Sequence, residues 1–248
     1  MYQTVLVGKK NRTGIVTLNR PRVMNSVDFT LIREISEAVG ELEDDKQVRV
    51  VILTGAGRAF STGHDMAASD EEISKLINFS EGRLAACEKP LIAAIHGHTL
   101  GYGLQIALVC DIIIAAENTI MGFTGPLVGA IDPGSILLLP GMVGRNKASE
   151  LLFTCEHFDA DEAYRIGMVN RVVPREQLMP VALEMAERIA RMSPQSIKYT
   201  KHALKWGLIN TPHYDYIRAT LRHLFLSDDY HEAVKAFKEK REPVFEDE

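Results

Sequence analysis

The stretch Leu91-Ile92-Ala93-Ala94-Ile95, Gly97-His98-Thr99-Leu100-Gly101-Tyr102-Gly103, Leu104–Val109 and Ile112-Ile113-Ile114-Ala115 decides the fold class. Its first and last apolar runs are too short for helices and have the length and branching of buried strands. Between them lie a glycine-bearing segment and a helical run. The order strand, glycine turn, helix, strand is that of an α/β protein.

Working outward, Val48–Thr54 is a third apolar run that reads as a buried strand. Before it, Asp28 is placed to cap a helix in which Phe29, Ile32, Ile35, Val39 and Leu42 recur at three- to four-residue steps. Val5–Val7 and Ile15–Leu18 flank Asn11-Arg12-Thr13-Gly14, the signature of an opening hairpin. Beyond Pro140 the pattern is mainly helical, over Lys147–Phe153, Asp161–Ile166, Glu176–Arg191, Gln195–Leu208, Tyr214–Leu226 and Tyr230–Lys240. With no internal repeat or linker, the expected organisation is an α/β core over residues 1–140 and a helical region over 141–248.

The 248 residues, 46% of them hydrophobic, suffice to bury a sizeable core. Twenty-eight basic against thirty-three acidic side chains give a formal charge of -5, which supplies no global field for nucleic acid or anionic lipid. Cys87, Cys110 and Cys155 are odd in number, far apart and without CxxC spacing, so they read as reduced thiols and not as a disulfide framework or zinc site. The N-terminus lacks an apolar signal core, and the apolar stretch Ile106 to Ala116 is interrupted by Asp111. The expectation is a soluble, cytoplasmic protein that binds no nucleic acid, membrane or metal and no redox cofactor.

Two segments carry chemistry. In Arg58-Ala59-Phe60-Ser61-Thr62-Gly63-His64-Asp65-Met66, a strand leaves the sheet into a glycine turn that can aim a backbone N–H into a cleft. In Gly97-His98-Thr99-Leu100-Gly101-Tyr102-Gly103, glycines lead into a helix whose N-terminus favours developing negative charge. Ile106 breaks the G-x-G-x-x-G spacing of a dinucleotide fingerprint. Each segment alone reads first as a strand-end turn or as tight helix–sheet packing, and His96 and His98 read as packed, solvent-facing or pocket-lining.

Taken together with Asn19-Arg20-Pro21-Arg22-Val23-Met24-Asn25, Pro90–Gly97, Cys110-Asp111 and Ala236-Phe237-Lys238-Glu239-Lys240-Arg241, these motifs resemble the enoyl-CoA hydratase/isomerase (crotonase) superfamily along essentially the whole chain. The resemblance implies a ClpP-like spiral of ββα turns, two roughly perpendicular sheets and a helical C-terminal region that mediates trimerisation, giving a trimer or a hexamer of two trimers. It implies an acyl-CoA substrate, with CoA as part of the substrate and no separate cofactor. The oxyanion donors map onto the backbone N–H groups of His64 and Tyr102, which leaves the two side chains free to vary. CoA contacts map onto Arg22 and Val23, onto Asp65, Met66 and Ala67, and onto Phe237 and Lys240.

Hydratases of that family carry two glutamates that activate water and protonate carbon, and here those positions are Gln105 and Gly125. The run Thr124 to Gly134 instead resembles the subgroup of naphthoyl-CoA synthase and ketocyclohexanecarboxyl-CoA hydrolase, which pairs such a glycine with an aspartate seven residues later. Asp132 is therefore the candidate acid/base, against its reading as a turn-forming residue before Pro133. The subgroup's serine is Ala130 here, and its C-terminal tyrosine aligns with Phe225. The resemblance thus implies a hydratase/isomerase-like enzyme, with β-keto acyl-CoA C–C bond chemistry or acyl-CoA binding without turnover as the alternatives.

Overall fold

The computed structural model describes residues 2–78, 82–209, 222, 225–226, 228–241 and 243. The strands are β1 (Val5–Lys10), β2 (Thr13–Leu18), β3 (Val50–Gly55), β4 (Ala59–Ser61), β5 (Leu91–Ile95), β6 (His98–Leu100), β7 (Ile112–Ala116), β8 (Ile120–Gly122), β9 (Phe158–Asp159) and β10 (Arg171–Val173). The helices are α1 (Phe29–Asp44), α2 (Asp70–Asn78), α3 (Gly82–Ala86), α4 (Tyr102–Val109), α5 (Pro133–Val143), α6 (Arg145–Thr154), α7 (Ala160–Arg165), α8 (Leu178–Ala190) and α9 (Pro194–Ile209), with a terminal described helix over Asp228–Glu239.

Successive strands alternate between two sheets. β3, β5 and β7 enter the six-stranded sheet, ordered β1-β2-β3-β5-β7-β10, and β4, β6 and β8 enter the four-stranded sheet, ordered β4-β6-β8-β9. A helix follows each such pair, so the chain winds as repeated ββα turns. Apart from the β1–β2 hairpin and the β8–β9 pair, every strand pairing is parallel.

The long apolar runs follow from burial on both faces of the larger sheet. Val51, Leu53, Leu91, Ala93, Ile95, Ile113 and Ala115 join α1 and α4 in the main core, while Val50, Ile52, Ile92, Ala94, Ile114 and Ala116 pack with Leu178, Ala182 and Ala186 of α8. Asp28 caps α1 as its sequence implies, accepting from the Leu31 N–H at 2.7 Å.

Several local expectations are corrected. The hairpin turn is only Asn11-Arg12, because Thr13 and Gly14 already pair in β2, and Gly14 lies against α1, where a Cβ would come 2.8 Å from the Leu42 methyls. The segment 97–103 contains β6 as well as its glycines, and α4 begins at Tyr102. Helix starts at Pro133, ahead of Pro140, and β9 and β10 bring strand structure into the expected helical region. The expected helix over 214–226 falls almost wholly outside the described residues.

Replacing Asp28 by Ala removes a side-chain acceptor for the first turn of α1, so urea denaturation of Asp28→Ala should show a loss of about 1 kcal/mol.

Candidate active site

The first donor loop leaves β4 through Gly63, whose φ of 89° is disfavoured for any residue with a Cβ. Val27 N–H donates to Gly63 O at 2.7 Å and Asp65 N–H donates to Val27 O at 2.9 Å. These two bonds flank His64, so the N–H of His64 itself points to the opposite side of the extended chain. The preceding residue lies against the second loop: a Cβ on Gly63 would stand 2.8 Å from Leu100 O and 3.3 Å from Tyr102 N. Tyr102 opens α4, so its N–H belongs to the first-turn donors that lie outside the intrahelical ladder. The structure thus brings the two predicted donor positions together.

Buried polar groups fix the approach. Asn25, fully buried in left-handed backbone, accepts from Arg20 N–H and donates its amide to Ala56 O at 3.0 Å and Ala59 O at 2.9 Å. Ser61 Oγ donates to Asn25 O at 2.7 Å, and a Cβ at Gly103 would strike Ser61 at 2.6 Å. Sequence reading quoted Asn25 and Ser61 within motifs without giving either a role, because their partners are distant in the chain.

The Asp65 side chain is engaged by Arg20, Ser26 and its own loop. Its Oδ2 accepts from Arg20 at 3.0 Å and Ser26 Oγ at 3.1 Å, and its Oδ1 accepts from Ala67 N–H at 3.2 Å. Burial would raise its pKa, but the Ala67 N–H, the Arg20 guanidinium and the Ser26 hydroxyl outweigh that and hold it below the usual carboxylate range. The side chain shapes the loop that presents Met66 and the exposed Ala67. Arg22 and Val23 are exposed on the turn that leads into Met24, whose carbonyl accepts from Thr62 N–H at 3.2 Å. Phe237 and Lys240 are exposed at the end of the helix Asp228–Glu239, which packs on the turn Pro126–Val128.

Asp132 stands at the N-cap of α5 yet does not cap it. Only 7% exposed, its carboxylate accepts from Gly125 N–H at 3.1 Å. Burial pushes its pKa up to about 6, against the opposing pull of that N–H. A Cβ at Gly125 would meet Asp132 Oδ2 at 2.9 Å, so the carboxylate fills the space that a side chain at 125 would need. The adjoining Thr124 touches the second donor loop, since a Cβ on Gly101 would lie 2.3 Å from its Oγ1. Gln105, 2% exposed, turns its Oε1 to Gly134 N–H at 3.2 Å.

The histidines divide. His96 is buried with Nε2 3.1 Å from Gly57 O, and burial, then the nearby Arg175, lowers its pKa to about 4; His98 is exposed. The His64 ring is pushed toward its neutral form by burial, and its buried Nε2 has no hydrogen-bond partner among the described residues. Its centroid is 6.1 Å from that of Phe225, which in turn meets Tyr230 edge-on at 4.5 Å. A backbone N–H from each of two adjacent loops, with a buried acid whose own loop touches the second of them, is the equipment needed to stabilise an oxyanion and move a proton.

Residues 8–248 match the sequence model described as enoyl-CoA hydratase/isomerase. The chain is 37% identical to the short-chain-enoyl-CoA hydratase of Clostridium acetobutylicum, with 96% of this chain and 95% of that protein covered. A monofunctional enoyl CoA isomerase from M. smegmatis is 38% identical at a TM-score of 0.72, covering 86% of this chain and 98% of its own. An enoyl-CoA hydratase from Mycobacterium avium subsp. paratuberculosis superposes with a TM-score of 0.87 at 28% identity over 100% of both chains.

Because the pKa of Asp132 is raised by folding, its contribution to stability is complete below the ordinary carboxylate range and is lost as pH rises through about 6. Asp132→Asn keeps an acceptor for Gly125 N–H without the buried charge. In paired urea titrations it should exceed wild type by on the order of 2 kcal/mol at about pH 8 and match it near about pH 4. Equal stability at both values would show that the carboxylate is solvated.

Proposed function

This chain belongs to the enoyl-CoA hydratase/isomerase family, and we propose that within it His64 and Tyr102 N–H groups hold a thioester oxygen while Asp132 moves the proton. The protein is an acyl-CoA-processing enzyme of hydratase/isomerase type. The observation that carries the specific reading is Asp132 itself, a buried carboxyl tuned to near-neutral pH beside the loop that meets the second donor. A protein that only bound acyl-CoA would gain nothing from holding a carboxyl in so unfavourable a place.

One acid suits proton abstraction from one carbon of the enolate system and its return to another, which is double-bond isomerisation. Addition of water by the two-carboxylate route has no acid at either Gln105 or Gly125. C–C bond closure or cleavage of a β-keto acyl-CoA, in the manner of the naphthoyl-CoA synthase subgroup, is the second reading. The contact between Asp132 and Gly125 favours it, whereas the relatives are named as hydratases and an isomerase.

In this reading Arg22 and Lys240 supply cations for the CoA phosphates, Val23 and Phe237 cover apolar parts of CoA, and the 65–67 backbone lines its path. Residues 1–140 carry both donors and the acid, and the helices of 141–248 join subunits into a trimer or a pair of trimers. CoA enters with the substrate and no further cofactor takes part. The buried thiols of Cys87, Cys110 and Cys155, none of them in a disulfide, suit a reducing cytoplasm, and no helix among the described residues is long and apolar enough to cross a membrane.

The test is turnover of a β,γ-unsaturated acyl-CoA to its α,β isomer. Asp132→Asn should lower kcat by roughly 10²–10⁴-fold with acyl-CoA affinity retained. Near-normal turnover would remove Asp132 from the mechanism. Separately, crotonyl-CoA hydration should run well below the ~10 s⁻¹ typical of enzymes, and efficient hydration would overturn the assignment of positions 105 and 125.

A further inference from the structure

We propose that Gln105 is a positioning residue: its carboxamide caps α5 in place of Asp132 and so leaves the Asp132 carboxylate directed at Gly125. This rests on the reading of Asp132 as the acid/base. The first-turn N–H groups of α5 need acceptors, and an Asp at the N-cap is among the residues that ordinarily supply one from its own side chain. Here the Asp132 side chain makes no such bond. The acceptor comes from α4, where Gln105 Oε1 takes the Gly134 N–H at 3.2 Å.

The fit leaves little latitude. Gln105 is 2% exposed, and a Cβ on Gly134 would approach its Cγ and Cδ to 2.7 Å, so only glycine lets the amide lie against the helix start. The backbone of the same residue serves the other half of the site, because Gln105 N–H donates to Gly101 O at 3.0 Å and closes the turn that presents Tyr102. Gln105 thus ties the second donor loop to the element that bears the acid. Among the described residues, the titratable neighbour of Asp132 is the Cys155 thiol, which burial keeps neutral.

The test compares Gln105→Met, which keeps length and volume but offers no comparable acceptor, with Gln105→Glu, which keeps the acceptor. Without the carboxamide, Asp132 is free to swing onto its own helix. In Gln105→Met, kcat should therefore fall at least about ten-fold with KM within about two-fold, and the acid limb of the kcat/KM profile should move to lower pH. In Gln105→Glu, kcat should recover above that limb, and the limb should move to higher pH because a second carboxylate lies near Asp132. Gly134→Ala, which displaces the amide without altering it, should reproduce Gln105→Met and decides the matter if the latter does not fold. Full kcat in either of these two variants overturns the proposal. So does crotonyl-CoA hydration gained by Gln105→Glu, which would place residue 105 against the substrate. If Asp132→Asn retains turnover, it is the acid assignment that fails; if that variant is inactive and Gln105→Met is fully active, only the positioning role fails.

Discussion

Parallel pairing of β3, β5 and β7 is the constraint from which the site follows. Strands that run the same way leave a sheet at the same edge, so β3 and β5 deliver the chain side by side into β4 and β6 of the second sheet. Those two short strands are parallel in turn, so the donor loops that follow them meet although some forty residues separate them in sequence. What remains is a close approach of two backbones, and Gly63, Gly101 and Gly103 are the residues that permit it.

Two aspartates on this framework are driven in opposite directions. Asp65 is surrounded by donors and a guanidinium and stays ionised, where it serves as a fixed strut for its loop. Asp132 has one backbone N–H and little water, and it exchanges its proton near neutrality. Such divergence between two carboxyls of one fold is how a structural anion is separated from a proton-transfer group.

Much of this was legible in the chain. The runs around Leu53, Ala93 and Ile114 announced themselves as strands because both of their faces are buried, and Asp28 announced a helix start because its partner Leu31 is local. The three-residue strands β4 and β6 were hidden, since their pairing partners and not their composition make them strands. Gly14 read as a turn because nothing nearby in sequence reveals Leu42 lying against it. The resemblance pointed to His64, Tyr102 and Asp132, but an Asp before a Pro carries a capping signal that only the contact of Gln105 with Gly134, from another helix, explains away.

The absence of room at Gly125 has a consequence for how such sites diverge. A Cβ at 125 would stand 2.9 Å from the Asp132 carboxylate and 3.0 Å from the Ile131 backbone, so a glutamate at 125 and an aspartate at 132 are held together only if the turn between them moves. A lineage moving between them must pass through a chain with neither acid, or else shift the turn that separates the two positions. Single substitutions would therefore register as losses from either side, and the two chemistries stand as separate peaks joined only by a coupled double change.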